Sequence, residues 1–285
     1  MPTTDRWAPF PAVLSRRERK AMENEFKKAL LAGQLQIGLW ASFGDAYPIE
    51  IVASAGFDWL LIDGEHGPND LRSTLSQLQA VSAYPAHPVV RLPIGDPVLI
   101  KQYLDIGAQT LLIPMVETGE QAKQLVAATR YPPLGVRGVA SARASRWGMI
   151  GDYFSRASEL ICLLVQVETQ KGLENIDELV ATEGVDGVFI GPSDLSASLG
   201  HLGNPGHPEI IRAIKSAINI IVKAGKSAGV LTTDNALAQE YIQSGVTFCA
   251  VGIDTIMLAQ AARALARKFK EGLQPAPAIK PGATY

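Results

Sequence analysis

From Gln36 onward the chain alternates short β-rich runs with amphipathic helical patterns, which limits its possible folds more than any other feature. Strands that alternate with helices form right-handed βαβ crossovers and a parallel sheet. Eight such units predict an α/β fold, a closed (β/α)8 TIM barrel with its active site at the C-terminal ends of the strands. The predicted strands are 36–42, 59–65, 88–93, 110–116, 163–168, 187–191, 228–232 and 248–252. The helical patterns include 70–83, 96–107, 119–130, 172–182, 207–224, 234–244 and 254–270.

An open, doubly wound parallel sheet is the alternative arrangement for such a pattern. It is disfavoured because no G-x-G-x-x-G motif opens a helix after the first predicted strand. A length of 285 residues with 47% hydrophobic residues suits one large barrel domain. We assign residues 22–285 to this domain, and predict that residues 1–21 form a flexible N-terminal extension.

The composition excludes several classes of function. A formal net charge of −2 argues against nucleic acid binding. No apolar stretch approaches the roughly 18 to 20 residues of a membrane span, and no signal peptide pattern opens the chain. The sequence therefore predicts a cytoplasmic protein with neither membrane nor nucleic acid partners. Cys162 and Cys249 lie in apolar runs and are expected to be free, buried thiols.

Three predicted strands end in polar and charged groups. Asp63, Glu65 and His66 lie at or beyond the end of strand 2. Glu168 ends strand 5, and Asp194 follows strand 6. Residues of equal parity share one face of a strand, so Asp63 and Glu65 point to the same side. Because the carboxyl ends of parallel barrel strands meet at one rim, we expect these side chains to converge.

The carboxylates need a positive partner, because burying an unpaired carboxylate is costly. Glu168 and Asp194 end consecutive strands, whose axes lie about 4.8 Å apart, and two ligands at that spacing suit one small ion. Two oxygen ligands with open positions are typical of a divalent cation such as Mg²⁺ or Mn²⁺, and Co²⁺ is a further candidate. We predict this cation as the cofactor, with no organic cofactor. In the alternative reading, each carboxylate caps a helix or forms a salt bridge.

The segment 191–194 (GPSD) is a candidate anion site. Gly191 permits close approach of the backbone, and the amides of Ser193 and Asp194 can open a helical turn toward a carboxylate. An ordinary βα turn is the alternative.

Groups for proton transfer and charge stabilisation are also present. Asp63 can orient the imidazole of His66 as a general base, with Glu65 extending the network through water. Arg91 ends strand 3 and can neutralise a developing oxyanion, with a structural salt bridge to Asp63 or Glu65 as the alternative. Trp40, at the end of strand 1, either lines the substrate pocket or packs in the core.

The other three histidines are less informative. His87 precedes strand 3 and is therefore expected at the opposite end of the barrel. His201 and His207 lie in a Gly/Pro-rich stretch after Asp194, and their role stays open.

This set of groups suits aldol chemistry. A divalent cation that chelates a 2-oxo acid acidifies the neighbouring carbon and supports cleavage to pyruvate and an aldehyde. A Schiff-base aldolase would need a lysine at the inner end of a strand, and Lys101, Lys171 and Lys226 are not placed there. The segments after strands 7 and 8 lack Gly-rich phosphate loops, so we expect no phosphorylated substrate. A CoA-ester lyase and a non-catalytic metal-binding barrel are the alternatives.

Four segments resemble the HpcH/HpaI family of metal-dependent, class II pyruvate aldolases. They are residues 60–69 (LLIDGEHGPN), 109–116 (QTLLIPMV), 130–133 (RYPP) and 187–196 (GVFIGPSDLS). The resemblance extends from about Met22 to the C-terminus.

The resemblance implies a role for each candidate residue. By similarity, Glu168 and Asp194 hold the metal and Arg91 stabilises the pyruvate enolate. His66, paired with Asp63, acts with a water at the C4 hydroxyl. The resemblance also implies that Gln166 and the Ser193 and Asp194 amides bind pyruvate.

Family substrates include 4-hydroxy-2-oxoheptanedioate, which is cleaved to pyruvate and succinic semialdehyde, and 2-keto-3-deoxy sugar acids. Family members exchange a C-terminal helix in dimers and assemble as hexamers, so a homohexamer is expected here. One departure concerns residues 137–147 (RGVASARASRW), which are two residues shorter than the usual family loop. We expect altered specificity if this loop borders the aldehyde pocket.

Overall fold

The computed structural model describes residues 23–270 and shows a closed barrel of eight parallel strands. Each strand pairs with its neighbour along the chain, and the last strand pairs with the first. The predicted (β/α)8 barrel is therefore confirmed. The strands are β1 (Gln36–Ala41), β2 (Trp59–Asp63), β3 (His87–Arg91), β4 (Thr110–Ile113), β5 (Cys162–Val167), β6 (Gly187–Ile190), β7 (Ser227–Leu231) and β8 (Val246–Ile253).

Helices precede β1, connect successive strands and follow β8. A 3₁₀ turn at Arg143–Ser145 lies within the connection between β4 and β5. The helices are α1 (Glu25–Leu31), α2 (Ala46–Ala53), α3 (Leu71–Val81), α4 (Pro97–Asp105), α5 (Gly119–Thr129), α6 (Tyr153–Leu160), α7 (Gln170–Glu174), α8 (Ile176–Ala181), α9 (Pro192–Ser198), α10 (Pro208–Lys223), α11 (Asn235–Gln243) and α12 (Asp254–Lys270).

The helices differ from the predicted ones in two respects. The predicted helix 172–182 is two helices, α7 and α8, because the backbone of Asn175 departs from helical geometry (φ −102°, ψ 13°). The Asn175 side chain donates instead to the carbonyl of Glu117 at 2.8 Å. Helices α2, α6 and α9 are not among the predicted patterns, although a helical turn is predicted to open at Ser193 and Asp194. The predicted extension, residues 1–21, lies outside the described residues.

The apolar core has two layers. One layer lies between the strands and the surrounding helices. The other fills the barrel interior and contains Leu61 and Val89, whose parity matches that of Asp63 and Arg91. Both polar residues thus end the inward-facing rows of their strands. Burying each of these large apolar side chains contributes about 1.5–3 kcal/mol. The two cysteines are free and buried, as predicted.

Helix α1 packs against the N-terminal end of the barrel. The side-chain amide of Asn24 donates to Thr110 Oγ1 at 3.0 Å and to the carbonyl of Leu160 at 3.1 Å. Phe26 stacks on His87, whose Nε2 lies 2.8 Å from Thr110 Oγ1. Burial lowers the pKa of His87 to about 4, so this imidazole is neutral at pH 7. His87 therefore lies at the end predicted for it, away from the strand C-termini.

Residues 131–148 connect α5 toward β5, so they lie at the N-terminal end of the strands. The guanidinium of Arg137 pairs with Asp105 at 2.8 Å, and Arg143 donates to the carbonyl of Ile106 at 2.7 Å. Both partners are at the C-terminal end of α4, which is also at that end of the barrel. Within one chain, this segment does not border the rim where the predicted site lies.

Within residues 23–270, no helix combines the length and the apolar character that crossing a membrane requires.

Candidate active site

Asp63 and Arg91 form the central ion pair at the C-terminal rim. They are the last residues of β2 and β3 and lie opposite each other in the strand register. Arg91 Nε donates to Asp63 Oδ1 at 2.8 Å and Nη2 donates to Oδ2 at 2.7 Å, so the pair is bidentate. Trp40 Nε1 donates to Asp63 Oδ2 at 3.1 Å, and the Arg91 guanidinium lies 5.0 Å from the Trp40 ring centroid. This arrangement immobilises the guanidinium, because two hydrogen bonds and an aromatic ring fix its plane.

Asp63 also holds the start of the following loop. Its Oδ1 accepts hydrogen bonds from the backbone amides of Glu65 at 3.0 Å and His66 at 3.2 Å. Burial raises the pKa of Asp63, but its bonds to Arg91 and these amides outweigh burial and lower the pKa overall. Asp63 is therefore ionised at neutral pH. Its contact with His66 runs through the backbone while the His66 side chain is exposed at the rim, so the Asp63–imidazole pair stays a prediction.

Glu65 extends this ion pair toward the site. Its Oε2 lies 2.8 Å from Arg91 Nη1, an ion pair by distance whose angle does not fit a hydrogen bond. Burial raises the pKa of Glu65, the Arg91 charge lowers it in part, and the charges of Asp63 and Asp194 raise it further. Arg91 thus forms salt bridges to both Asp63 and Glu65, the alternative left open for this guanidinium, and the predicted role of Glu65 in the Asp63–His66 network stays a prediction.

Glu168 follows β5 and is almost fully buried. Its Oε1 accepts from the amide of Met115 at 2.9 Å, and its Oε2 accepts from Gln166 Nε2. Burial raises the pKa of Glu168 above its usual range, and the nearby charges of Glu65 and Asp194 raise it further. Such an effect is expected where carboxylates that follow different strands lie near one another.

Gly191 makes room for the Glu168 side chain. A Cβ atom on Gly191 would lie 2.5 Å from Glu168 Oε2 and 3.1 Å from Gln166 Nε2. A side chain on this residue would therefore displace the buried carboxylate. The sequence predicts that this glycine permits close approach of the backbone to an anion, and the structure adds the contact with Glu168.

Ser193 and Asp194 lie in the first turn of α9. Gly191 caps this helix without a side-chain hydrogen bond, and the first helical bond runs from Leu195 N to Gly191 O at 3.0 Å. The amides of Ser193 and Asp194 therefore have no partner in the helix itself, as expected at a helix start. The predicted anion-binding orientation is compatible with this geometry.

The donor set fits a divalent cation. The charges of Asp63 and Asp194 raise the pKa of Glu65, and those of Glu65 and Asp194 raise the pKa of Glu168, whereas Arg91 is the one guanidinium that pairs with any of these carboxylates in the described part of the chain. Gln166 Oε1 is buried and has no hydrogen-bond partner among residues 23–270. An oxygen-rich cluster with excess negative charge matches the ligand preference of Mg²⁺ or Mn²⁺.

Sequence reasoning missed two features of this rim. Met115 adopts a left-handed backbone (φ 55°) that directs its amide toward Glu168, and no local pattern indicates this conformation. Asp254 is buried after β8, and its carboxylate accepts from the amide of Ser42 at 3.0 and 3.1 Å. Burial raises the pKa of Asp254 despite these bonds. A signal was available, because Asp254 follows its strand just as Asp63 ends its own.

Comparison with known proteins decides the family. A family model described as HpcH/HpaI aldolase/citrate lyase matches residues 36–261. The chain belongs to this family. The resemblance inferred from four short segments is thereby confirmed, and the protein is an aldolase-type enzyme.

Individual relatives of this aldolase carry more specific names. It is 65% identical over 252 residues to the hydroxypyruvate/pyruvate aldolase of Deinococcus radiodurans, covering 88% of this chain and 91% of that protein. It is 55% identical over 263 residues to the 4-hydroxy-2-oxo-heptane-1,7-dioate aldolase of Shigella sonnei, covering 92% and 99%. The crystal structure of a family member from Burkholderia cenocepacia is 40% identical, with a TM-score of 0.84 and coverage of 87% and 99%.

Proposed function

We propose that this aldolase is metal-dependent and reversibly cleaves a 4-hydroxy-2-oxo acid to pyruvate and an aldehyde. The leading substrate is 4-hydroxy-2-oxoheptanedioate, which yields succinic semialdehyde. The Shigella sonnei relative bears the name of that activity. The observation that carries the proposal is the buried Glu168 carboxylate, whose pKa is raised by burial and by the charges of Glu65 and Asp194, together with a guanidinium fixed by Asp63.

Glu168 and Asp194 are the residues that would hold the cation. When bound there, the cation supplies Lewis-acid polarisation of the 2-oxo group. The amides of Ser193 and Asp194, with Gln166, bind the substrate carboxylate and orient the 2-oxo acid.

Cleavage then needs one proton removed and one returned. His66, acting through water, takes the proton of the C4 hydroxyl. The C3–C4 bond breaks, the aldehyde leaves, and the electron pair forms the pyruvate enolate, which a proton at C3 converts to pyruvate. Arg91 stabilises the oxyanion, because its plane is fixed before charge develops. Asp63 positions Arg91 and, through its backbone contact, the loop that carries His66.

A second candidate donor is hydroxypyruvate. It is favoured by the name of the Deinococcus radiodurans relative, at 65% identity over 252 residues. The same groups would stabilise its enolate, since hydroxypyruvate differs from pyruvate by a hydroxyl group at C3. A 2-keto-3-deoxy sugar acid, of rhamnonate or glucarate type, is the remaining alternative substrate.

Two assays test the proposal. Protein stripped of metal with EDTA is incubated with 4-hydroxy-2-oxo acids, including 2-keto-3-deoxy sugar acids, before and after Mn²⁺, Co²⁺ or Mg²⁺ is restored. Pyruvate release, followed with lactate dehydrogenase and NADH, should appear only with metal. Absence of pyruvate release with every metal and substrate would refute the aldolase assignment.

Proton exchange tests whether the protein forms the enolate of the donor, without the need to know the aldehyde. In D₂O, the aldolase should exchange the C3 protons of pyruvate or hydroxypyruvate without any aldehyde, as followed by NMR. Arg91→Ala should abolish exchange while metal binding persists, whereas a non-catalytic metal-binding barrel would show no exchange in either protein. The relative exchange rates of pyruvate and hydroxypyruvate identify the preferred donor.

We further propose a homohexamer built from dimers that exchange α12, and a cytoplasmic location. In α12, only Asp254 is buried. Exposed apolar residues of this helix include Ile256, Met257, Leu258, Leu265 and Phe269. Such a row of apolar side chains is typical of a helix covered by another subunit. Light scattering gives the assembly, and deletion of residues 256–285 should yield monomers.

A further inference from the structure

A second group of potential metal ligands lies outside the predicted active site. His201, His207 and Glu209 each offer a ligand atom, and these three atoms all lie within 4.8 Å of one another. The carboxylates predicted for catalysis form no such three-residue group in the described part of the chain. The two sites also differ in chemistry, because one is built from oxygens and the other contains two imidazoles.

The local fold brings these residues together. The loop that follows α9 is fixed by a hydrogen bond from His201 N to Ser196 O at 2.7 Å. His207 caps the N-terminus of α10, with its Nδ1 accepting from the Glu209 amide at 3.3 Å. Because Nδ1 accepts this bond, the ring proton of neutral His207 lies on Nε2, so binding a metal through Nε2 requires the other tautomer and the loss of the cap bond.

The distances suit a borderline transition metal. His201 Nε2 lies 2.9 Å from Glu209 Oε2. This contact is a hydrogen bond, which a bound ion would replace, and tetrahedral ligand atoms at about 2.0–2.1 Å from zinc lie about 3.3 Å apart, so the pair needs to open only slightly. Imidazole and carboxylate together suit Zn²⁺, Co²⁺ or Ni²⁺, whereas Mg²⁺ prefers oxygen ligands.

The two imidazole rings must also rotate. The rings of His201 and His207 stack with centroids 3.7 Å apart and planes at 19°, so their in-plane lone pairs cannot meet at one ion without rotation. Gly200 and Gly203 have positive φ, and both lie in the loop that carries His201. The Glu209 side chain is more than half exposed, so it can follow the ion. Arg212 opposes cation binding, because its charge also reaches Glu209.

We propose that His201, His207 and Glu209 form a second, zinc-type metal site that fastens the loop after α9 to the start of α10. The site is separate from catalysis, since its residues touch none of the groups predicted to act on substrate. It is tested independently of the proposed function, because its readout is metal content and not turnover.

The test is zinc binding with the catalytic site saturated by excess Mg²⁺. Full-length protein is dialysed against Zn²⁺ and Mg²⁺, and its metal content is measured. We expect one Zn²⁺ per chain in the wild type and at least about tenfold weaker zinc binding after His201→Gln or Glu209→Gln. Glu168→Gln should keep its Zn²⁺, and the control Glu240→Gln, a change at another exposed carboxylate, should behave as wild type.

His207→Asn separates the two roles of His207, as a helix cap and as a metal ligand. Asparagine is a good N-cap residue, so the melting temperature without zinc should stay close to that of the wild type. The imidazole is lost, so zinc binding and the rise in melting temperature on zinc addition should disappear. The proposal is overturned if wild type binds no Zn²⁺ beside excess Mg²⁺, or if the His201, His207 and Glu209 variants retain it.

Discussion

Replacing Gly191 with alanine should reduce catalysis without unfolding the barrel. The backbone of Gly191 has φ −92°, a conformation that alanine adopts readily. The new Cβ would lie 2.5 Å from Glu168 Oε2, whereas ordinary contact begins at 3.4 Å. The carboxylate must therefore move by about 1 Å, away from its bonds to Met115 and Gln166.

The size of the effect follows from this displacement. A misplacement of about 1 Å can reduce the rate about 100-fold, which corresponds to about 2.7 kcal/mol in activation free energy. Disturbing the two hydrogen bonds costs about 1–2 kcal/mol of stability. Replacing glycine with alanine restores about 0.4–1 kcal/mol through the unfolded state. The free energy of unfolding should therefore fall by no more than about 1–2 kcal/mol.

Gly151→Ala is the matched control, because nothing lies within 4 Å of its added Cβ and its φ is not positive. The assay compares kcat/KM for pyruvate release at saturating Mn²⁺ with the melting temperature of each protein. Gly191→Ala should lose about two orders of magnitude in kcat/KM, and Gly151→Ala should lose nothing. A folded Gly191→Ala protein with wild-type kcat/KM would show that Glu168 does not need its observed position.

Three further predictions concern the Arg91 guanidinium, stability in acid and the contacts of α1 at the N-terminal end of the barrel. Arg91→Lys should lower kcat at least about 100-fold, because lysine cannot bind both oxygens of Asp63 and still present a fixed cation to the oxyanion. Steady-state kinetics test this, with circular dichroism to check that the variant is folded. His87 has its pKa lowered to about 4, so the unfolded chain binds a proton below pH 6.5 that the folded protein does not. Stability should decline by up to about 3 kcal/mol as pH falls from 6.5 toward 4, and His87→Gln should show a smaller loss in urea unfolding at pH 7 and pH 5. Asn24→Ala should reduce the free energy of unfolding by about 2–3 kcal/mol, because it removes a hydrogen-bond donor from the Thr110 hydroxyl and from backbone carbonyls. The value of kcat should not change, and a parallel fall in kcat would show that the N-terminal end of the barrel is not independent of the active site.

The strand pattern was sufficient to predict the barrel and which side chains face inward. Parity placed Asp63 with Leu61 and Arg91 with Val89, and both apolar residues lie in the interior layer. It also indicated that carboxylates at separate strand ends would converge, and the charges of Glu65 and Asp194 do raise the pKa of Glu168. These predictions succeed because strand periodicity and parallel connection are local properties that the order of residues encodes directly.

The partners of each group could not be obtained in this way. The Asp63 carboxylate binds Arg91, which the sequence left as an alternative, and also Trp40 and backbone amides, which the strand pattern does not indicate. Its pairing with the His66 imidazole stays a prediction. The bridge from Met115 to Glu168 depends on a left-handed backbone and on the pairing of β4 with β5.

By itself, the sequence determined the architecture, the rim where the polar groups gather and the family. The tertiary structure decided which donor meets which acceptor, the place of residues 131–148 at the opposite end, and the approach of His201 to Glu209. The physical reason is that hydrogen bonds between distant residues depend on strand register and loop conformation. Strand register and loop conformation are set by packing of the whole barrel, whereas hydrophobic periodicity can be read directly from the order of residues in the sequence.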